Sequence, residues 1–233
     1  MDGPTGKLGY GLLRTGAFTM TTRWVGGLAV LAILLGFGMG FGVRFVSDRW
    51  AGTAQVPLVR FAELLEGGHW IGPEEAPAVI LVYQDYHCGY SAELYHTLSL
   101  LRERYPQHVA VVVKNPIDPD DLFSASARVA LGAECAADQN AFITYHGAAF
   151  ERTATLSYRN APEVVARAAG VPDMEEFEAC LSRRRHGRRV AAYSEEAREL
   201  GVVGSPTSFV NGVRIVGSVP LDVLDQLVAR SVR

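Results

Sequence analysis

The sequence predicts an α/β domain with a parallel sheet and an all-helical insertion, preceded by one transmembrane helix. Two short apolar runs, Ala78 to Tyr83 and Val109 to Val113, have the composition of strands that are buried on both faces. Between them, Ser91 to Tyr105 has leucines at helical spacing and stops before Pro106. Strand, helix and strand in this order form the unit of a parallel sheet.

The predicted membrane span is a segment without a single charge, Trp24 to Val43, between Arg23 and Arg44. At about 1.5 Å of rise per residue, such a helix measures roughly 30 Å, the thickness of the hydrocarbon core of a bilayer. We therefore predict a cytoplasmic tail at residues 1–23 and a single-pass anchor at residues 24–46. A cleaved signal peptide is the alternative, because small residues at 52–54 offer a cleavage site.

Four glycines in the span form two overlapping G-x-x-x-G pairs, Gly36 with Gly40 and Gly38 with Gly42. This spacing removes side chains from one face of a helix and allows a second helix to approach closely. We predict that a membrane protein packs on this face, although glycine is also common in membrane helices that have no such partner.

Scattered glycines and prolines at residues 47–76 predict a linker with a short local element, and the folded domain is predicted at 77–233. Helical patterns dominate its middle, so we predict an all-helical insertion over about residues 121–200. The predicted insertion helices are 125–137, 139–151, 161–169, 173–183 and 188–200.

Strand character returns at Thr207 to Val210 and at Val213 to Val216. The residues between them, Asn211-Gly212, are a strong signal for a two-residue hairpin, because both tolerate positive φ. A final helix is predicted after Ser218, with Pro220 in its first turn.

Composition excludes one class of function and gives no sign of a cofactor. The formal net charge is −3, and no nucleic-acid-binding motif is present, so we expect no nucleic-acid partner. We expect no metal site and no cofactor either, because five histidines lack metal-ligand spacing and are interpreted as ordinary helix or surface residues. They are His69, His96, His108, His146 and His186.

One segment, Asp85-Tyr86-His87-Cys88-Gly89-Tyr90-Ser91, resembles the redox motif of the DsbA-like thioredoxin family, in which an aspartate lies three residues before Cys-x-x-Cys. The segment from Gly204 to Gly212 is similar to the cis-proline loop and hairpin of that family, and 133–136 and 177–181 resemble two segments of its helical insertion. The resemblance covers about residues 57–230 and implies a thioredoxin fold with a DsbA-like insertion.

The resemblance also implies three features of the site and its surroundings. Pro206 is expected to be cis, in a loop that presents main-chain groups to an extended polypeptide beside Cys88. Cys135 and Cys180 match a structural pair, and a disulfide between them requires an oxidising compartment. The domain is then periplasmic and the N-terminus lies inside, which the nearly balanced charges around the span do not decide. Two buried free thiols are the alternative.

The sequence departs from the family pattern at Ser91, where the second cysteine is expected. A dithiol enzyme uses that second thiol to resolve its mixed disulfide, so a self-sufficient oxidase is excluded unless Cys88 borrows another cysteine. Cys88 itself is predicted at a helix start, a common position for reactive cysteines, but an inert cysteine on a binding surface fits equally.

Three neighbouring side chains are candidates to assist Cys88. His87 is either a charge beside the sulfur or an exposed loop residue, and Asp85 either handles protons or caps the turn. Ser91 either donates a hydrogen bond to the sulfur or faces the helix backbone.

Two functions from different classes fit this pattern. The first is a monothiol thiol-disulfide isomerase or reductase that acts through Cys88 and is released by an external thiol. The second is a non-catalytic accessory subunit or assembly factor of a membrane protein complex. A peptide-binding chaperone without a fixed partner is a third. The missing cysteine and the glycine face of the span favour the second.

We predict that the span is retained in the mature protein, because its apolar length exceeds that of a typical signal peptide. Intact-mass measurement of the protein extracted from membranes should give the uncleaved chain. A mature N-terminus beyond Ala54 would contradict the anchor.

Overall fold

The structure is a computed structural model that describes residues 51–55, 58–118, 123–155 and 161–232. The described strands are β1 (Ala51–Gln55), β2 (His69–Ile71), β3 (Ala78–Tyr83), β4 (Val109–Lys114), β5 (Thr207–Val210) and β6 (Val213–Val216). They form one sheet in the order β1-β6-β5-β3-β4-β2. β3 and β4 are parallel, and the other neighbouring strands are antiparallel.

The described helices are α1 (Leu58–Leu65), α2 (Gly89–Arg104), α3 (Ala125–Ala137), α4 (Phe142–Phe150), α5 (Ala161–Ala169), α6 (Met174–Ser182), α7 (Gly187–Glu199) and α8 (Leu221–Ser231). The all-helical insertion is confirmed, and each of its predicted helices is present within three residues of its expected ends. The largest difference is at the start of α4, which is predicted at residue 139 and begins at Phe142. Asn140 adopts a positive φ of 58°, which interrupts the helical backbone before it.

The centre of the sheet is the parallel pair β3 and β4, which are joined by α2. Their apolar runs are buried on both faces, as their composition predicts. One face packs against α2 and α8 through residues such as Val82, Leu94 and Leu224. The other face packs against α1 and α7 through Leu81, Phe209 and their neighbours. A sheet covered on both faces leaves the ends of its strands as the accessible places for a site.

The hairpin turn between β5 and β6 has the predicted backbone, with φ of 45° at Asn211 and 84° at Gly212. The Asn211 side chain also ties the turn to β3. Its Oδ1 accepts a hydrogen bond from the Val79 N–H at 2.8 Å, and its Nδ2 donates to the Pro77 carbonyl at 2.9 Å. The turn therefore helps to hold β5 alongside β3.

A disulfide between Cys135 of α3 and Cys180 of α6 cross-links the insertion, and it is the pair that the resemblance implies. Their Cα atoms are 5.9 Å apart, and the bond closes a loop with a sequence separation of 45. In the chain-entropy account, a loop of this length contributes about 4 kcal/mol to stability.

The prediction of a linker at residues 47–76 is wrong for much of its length. This segment contributes both edge strands, β1 paired with β6 and β2 paired with β4, and α1 covers one face of the sheet. The physical reason is that edge strands are short and draw their stability from partners that are distant in sequence. β2, with three residues, is too short for periodicity to reveal it.

None of the helices in the described part of the chain combines the length and the apolar character of a membrane span. The predicted anchor at residues 24–46, including Gly36, Gly38, Gly40 and Gly42, lies outside the described residues. Pro220, predicted in the first turn of the last helix, caps α8 instead.

The packing of α3 against α4 and α5 predicts that Gly132→Ala destabilises the domain. A Cβ at Gly132 would overlap the Tyr145 hydroxyl and lie 3.1 Å from the Cβ of Pro162. Tyr145 is fully buried and donates to the Val129 carbonyl, so its ring has no free space to move into. We expect the free energy of unfolding to fall by about 1–3 kcal/mol in chemical denaturation.

The matched control is Gly187→Ala at the first position of α7, where the new Cβ meets only the Arg184 Cβ at an ordinary 3.8 Å. This variant should be as stable as the wild type or slightly more stable. Equal losses in the two variants would contradict the packing argument.

Candidate functional site at Cys88 and Pro206

Cys88 lies in the turn between β3 and α2, and it is the N-cap of that helix. Its carbonyl accepts the N–H groups of Ser91 and Ala92 at 3.0 and 3.1 Å, which starts the helix. Because the other two cysteines are bonded to each other, Cys88 is a free thiol, and it is half-buried. As the N-cap, Cys88 makes no side-chain hydrogen bond to the N–H groups of the first helical turn.

The loop before β5 reaches this thiol from the other side. The Ser205-Pro206 peptide bond is cis, as the resemblance implies. The Cys88 thiol donates to the Ser205 carbonyl, with 3.2 Å between Sγ and the oxygen. This contact brings together Cys88 and the cis-proline loop, which the sequence separates by more than a hundred residues.

Ser91 also belongs to this contact. Its side chain is fully buried, and its Oγ lies 2.8 Å from the Oγ of Ser205 and 3.3 Å from the N–H of Asp85, which donates to it. Of the two orientations that the sequence leaves open for Ser91, the structure has neither. The hydroxyl joins the cis-proline loop to the turn before Cys88.

Asp85 acts in the structure as the organiser of the turn. Its Oδ1 accepts hydrogen bonds from the backbone N–H of His87 at 2.7 Å and from the Ser126 hydroxyl at 2.6 Å. The Asp85 carbonyl also accepts the Cys88 N–H at 3.1 Å. The geometry favours the turn-capping role of Asp85, and Ser126 connects the turn to α3.

His87 is held through its backbone rather than through its ring. The ring Nδ1 is buried and has no hydrogen-bond partner among the described residues. Whether the ring assists the sulfur stays a prediction.

The surface around the sulfur is open and partly apolar. A Cβ at Gly89, which follows Cys88, or at Gly204, which precedes Ser205, would meet no atom within 4 Å. Tyr90 and Val203 are exposed by 65% and 93%, which is unusual for side chains of this size. A partner backbone therefore has room to lie beside Gly89 and Gly204.

A groove of about 570 Å³ begins at this surface and runs along α7. Asp85 and Ser205 line its end near Cys88, Val202 and Val203 form one wall, and Ser194 and Ala197 of α7 form the other. Its volume suits a few side chains of an extended peptide.

His146, which the sequence predicts to be an ordinary helix or surface residue, lies on a helix but is buried behind the Cys88 turn. His146 of α4 is 3% exposed, and its Nδ1 lies 3.0 Å from the Tyr86 hydroxyl while its Nε2 lies 3.3 Å from the Nε2 of Gln84. Burial, and to a smaller extent the charge of His69, lowers the pKa of His146 to about 3. Spacing gave no signal, because the contacts are long-range.

On the face of the sheet opposite His146, the buried Lys114 forms an ion pair with Glu196. Lys114 donates to Glu196 Oε1 at 2.6 Å, and the Tyr83 hydroxyl donates to the same oxygen at 2.5 Å. Burial, followed by this hydrogen bond, raises the pKa of Tyr83 well above its usual value. The cluster satisfies its own charges and joins β3 and β4 to α7.

A possible metal cluster in the described part of the chain fails on chemistry. Ligand atoms of Asp138, Cys180 and His186 lie close together, but the sulfur of Cys180 is bonded to Cys135 and offers no thiolate. The Asp138 carboxylate instead pairs with Arg185 and His186.

The comparison with known proteins agrees with this geometry. A protein-family model described as thioredoxin matches residues 65–230. The chain belongs to the thioredoxin family. The match covers the Cys88 motif, the insertion and the cis-proline loop together.

Solved structures of proteins from three bacteria have this fold. A thioredoxin-like oxidoreductase from Silicibacter pomeroyi is 21% identical and has a TM-score of 0.62, covering 71% of this chain and 92% of its own. The thiol-disulfide exchange protein α-DsbA2 from Wolbachia pipientis is 18% identical with a TM-score of 0.64, covering 74% and 92%. BdbD from Bacillus subtilis is 17% identical with a TM-score of 0.63, covering 78% and 97%. These neighbours confirm the DsbA-like thioredoxin fold.

The chain is also similar to part of two proteins that are named as sodium/proton antiporters. A Na(+)/H(+) antiporter NhaA from Herminiimonas arsenicoxydans is 30% identical over 193 residues, which are 81% of this chain and 29% of the antiporter. Na(+)/H(+) antiporter NhaA 3 from Salinispora tropica is 29% identical over 161 residues, which are 69% of this chain and 24% of the antiporter. The chain thus spans only about a quarter of the length of these relatives.

The burial of His146 predicts a pH-dependent contribution to stability. Its pKa of about 3 in the folded protein lies below the value of about 6.5 expected in the unfolded chain, so the unfolded chain binds a proton first as pH falls. The contribution of His146 to the free energy of unfolding is fully present above about pH 6.5. It is lost as the pH falls toward 3, by at most about 1.4 kcal/mol per pH unit.

The measurement is the free energy of unfolding of the wild type and of His146→Gln between about pH 7 and about pH 4. Glutamine offers one donor and one acceptor to Tyr86 and Gln84 but does not titrate. The advantage of the wild type should shrink as pH falls. Parallel curves would show that His146 does not titrate on unfolding.

Proposed function

We propose that this thioredoxin-family protein is a membrane-anchored, periplasmic accessory subunit or assembly factor of a membrane protein complex. It binds an extended segment of its partner non-covalently at the surface around Cys88 and Pro206. The observation that carries the proposal is Ser91. Its hydroxyl stands where a resolving thiol is expected and is already bonded to Ser205.

The chemistry of Ser91 limits what Cys88 does by itself. The chain has three cysteines, and the Cys135–Cys180 bond uses two of them. A mixed disulfide at Cys88 therefore has no second thiol within the chain to resolve it, and a hydroxyl does not attack a disulfide. We expect little or no dithiol oxidase activity.

The surface around Cys88 supports the binding of an extended polypeptide. Gly89 and Gly204 leave room for a backbone, and Tyr90 and Val203 supply exposed apolar area on either side. The groove along α7 continues from this surface and offers space for side chains. These features serve non-covalent binding whether or not the thiol reacts.

Two observations support a membrane setting. The first is the charge-free segment from Trp24 to Val43, which carries the two G-x-x-x-G pairs for docking to another helix. The second is that the curated relatives are named as antiporters. The match covers only 24–29% of the length of each antiporter. A thioredoxin-family segment thus occurs as a small part of proteins named as ion transporters.

The alternative function is monothiol exchange, and the free, half-buried thiol of Cys88 favours it. In this reaction the Cys88 thiolate attacks one sulfur of a substrate disulfide, forms a mixed disulfide and releases the other sulfur as a thiolate. An external thiol then attacks the mixed disulfide, which regenerates Cys88 and leaves the external thiol bonded to the substrate sulfur.

Comparison of Cys88→Ser with the double variant Gly38→Leu and Gly40→Leu separates the two functions. We expect the glycine variant to lose the native complex, because leucine side chains prevent close helix packing, and Cys88→Ser to retain it. The complex is measured by sizing and by identification of co-purifying proteins after mild detergent extraction, with and without reductant. Ile33→Leu, a conservative change in the same span, is the control.

The biological phenotype is scored alongside complex retention. A phenotype that follows the glycine variant supports the accessory subunit. Loss of function in Cys88→Ser, with no effect of the glycine variant and with an adduct that disappears in reductant, would establish the monothiol enzyme instead.

A further inference from the structure

The Ser91 hydroxyl connects two parts of the site that are far apart in sequence. It lies inside α2 with no exposed surface, and its Oγ is 2.8 Å from the Oγ of Ser205, 114 residues away. The second contact of this oxygen is the Asp85 N–H in the turn before Cys88. A buried hydroxyl that links two segments is costly to remove, because its partner loses a hydrogen bond.

Ser205 has two separate contacts with the start of α2. Its hydroxyl meets Ser91, and its main-chain carbonyl accepts the Cys88 thiol at 3.2 Å. Both contacts hold the same residue, Ser205, against the start of α2. On its other side the loop is held to the hairpin, because the Gly217 N–H donates to the Pro206 carbonyl at 2.8 Å.

We propose that Ser91 is a positioning residue that holds the cis-proline loop closed on Cys88. In the closed loop, the Ser205 carbonyl engages the thiol and restricts access to it. The inference rests on the proposed use of this surface for binding. It assigns to Ser91 a role that a second cysteine would not fill, namely a fixed hydrogen bond to Ser205.

A consequence follows for the binding of a partner. An N–H group of an extended polypeptide that pairs with the Ser205 carbonyl competes with the Cys88 thiol for the same oxygen. The loop also forms a wall of the groove along α7 through Val203 and Ser205. Ser91 thereby sets both the accessibility of the thiol and the shape of the binding surface.

The test is the rate at which iodoacetamide alkylates Cys88 in the native full chain in detergent. Cys88 is the one free thiol, because Cys135 and Cys180 are bonded, so the rate reports on this site alone. Ser91→Ala and Ser205→Ala remove the same hydrogen bond from opposite ends, and Ser205→Ala leaves the Ser205 carbonyl intact. We expect each to accelerate alkylation by roughly fivefold, the equivalent of one ordinary hydrogen bond.

The double variant distinguishes positioning from general loosening. If the two hydroxyls act through each other, Ser91→Ala with Ser205→Ala should alkylate no faster than Ser91→Ala alone, which also loses the Asp85 N–H contact. Ser205→Thr, which retains a hydroxyl, should restore the wild-type rate. Ser99→Ala removes a hydroxyl from the same helix that bonds only its own turn, and it should leave the rate unchanged.

Three results would overturn the proposal. They are unchanged rates in both single variants, effects that multiply in the double variant, or the same acceleration in Ser99→Ala. A merely structural role would lower the melting temperature without coupling positions 91 and 205. The assay needs no partner, so its outcome is independent of the complex-retention experiment.

Discussion

The antiparallel pairing of β3 with β5 is the constraint on which the site depends. Tyr83, the last residue of β3, pairs with Thr207, the first residue of β5. The chain leaves β3 into the Cys88 turn and enters β5 from Pro206, so this register brings the thiol and the cis-proline loop to the same end of the sheet. At this end of the sheet Ser205 contacts both Cys88 and Ser91.

Three hydrogen bonds then hold the Cys88 turn from different directions. Asp85 bonds to Ser126 of α3, the Tyr86 hydroxyl meets His146 of α4, and Ser91 of α2 meets Ser205. Two of these partners come from the helical insertion, which therefore shapes the turn in addition to extending the domain. Breaking any of these bonds would leave a buried polar group without a partner, which costs free energy. Each bond therefore restricts the conformation of the turn.

The site combines features that usually separate an enzyme from a binding module. A free thiol at a helix start, with open space beside it, is retained. The sulfur that would complete a dithiol cycle is absent, and a hydroxyl with a structural bond occupies its position. Binding at this surface is the proposed function, and covalent chemistry at Cys88 requires a thiol from outside the chain.

The sequence by itself determined the elements whose signals are local. The continuous apolar runs of β3 and β4, the helix between them and the Asn211-Gly212 hairpin follow from residue patterns, because burial and backbone preference act over a few residues. The Cys88 and Pro206 motifs, together with the resemblance that they carry, also indicated the fold and the pairing of Cys135 with Cys180.

Only the tertiary structure decided the features that depend on distant partners. β1 and β2 were interpreted as linker, because an edge strand of a few residues is stabilised by its neighbour in the sheet. His146 gave no sign of its place behind the Cys88 turn, since its partners lie about sixty residues away. The direction of the Ser91 hydroxyl was equally undetermined, because it is set by a loop 114 residues further along the chain. Long-range contacts depend on how the folded sheet brings distant segments together. They therefore produce no periodic pattern in the local sequence.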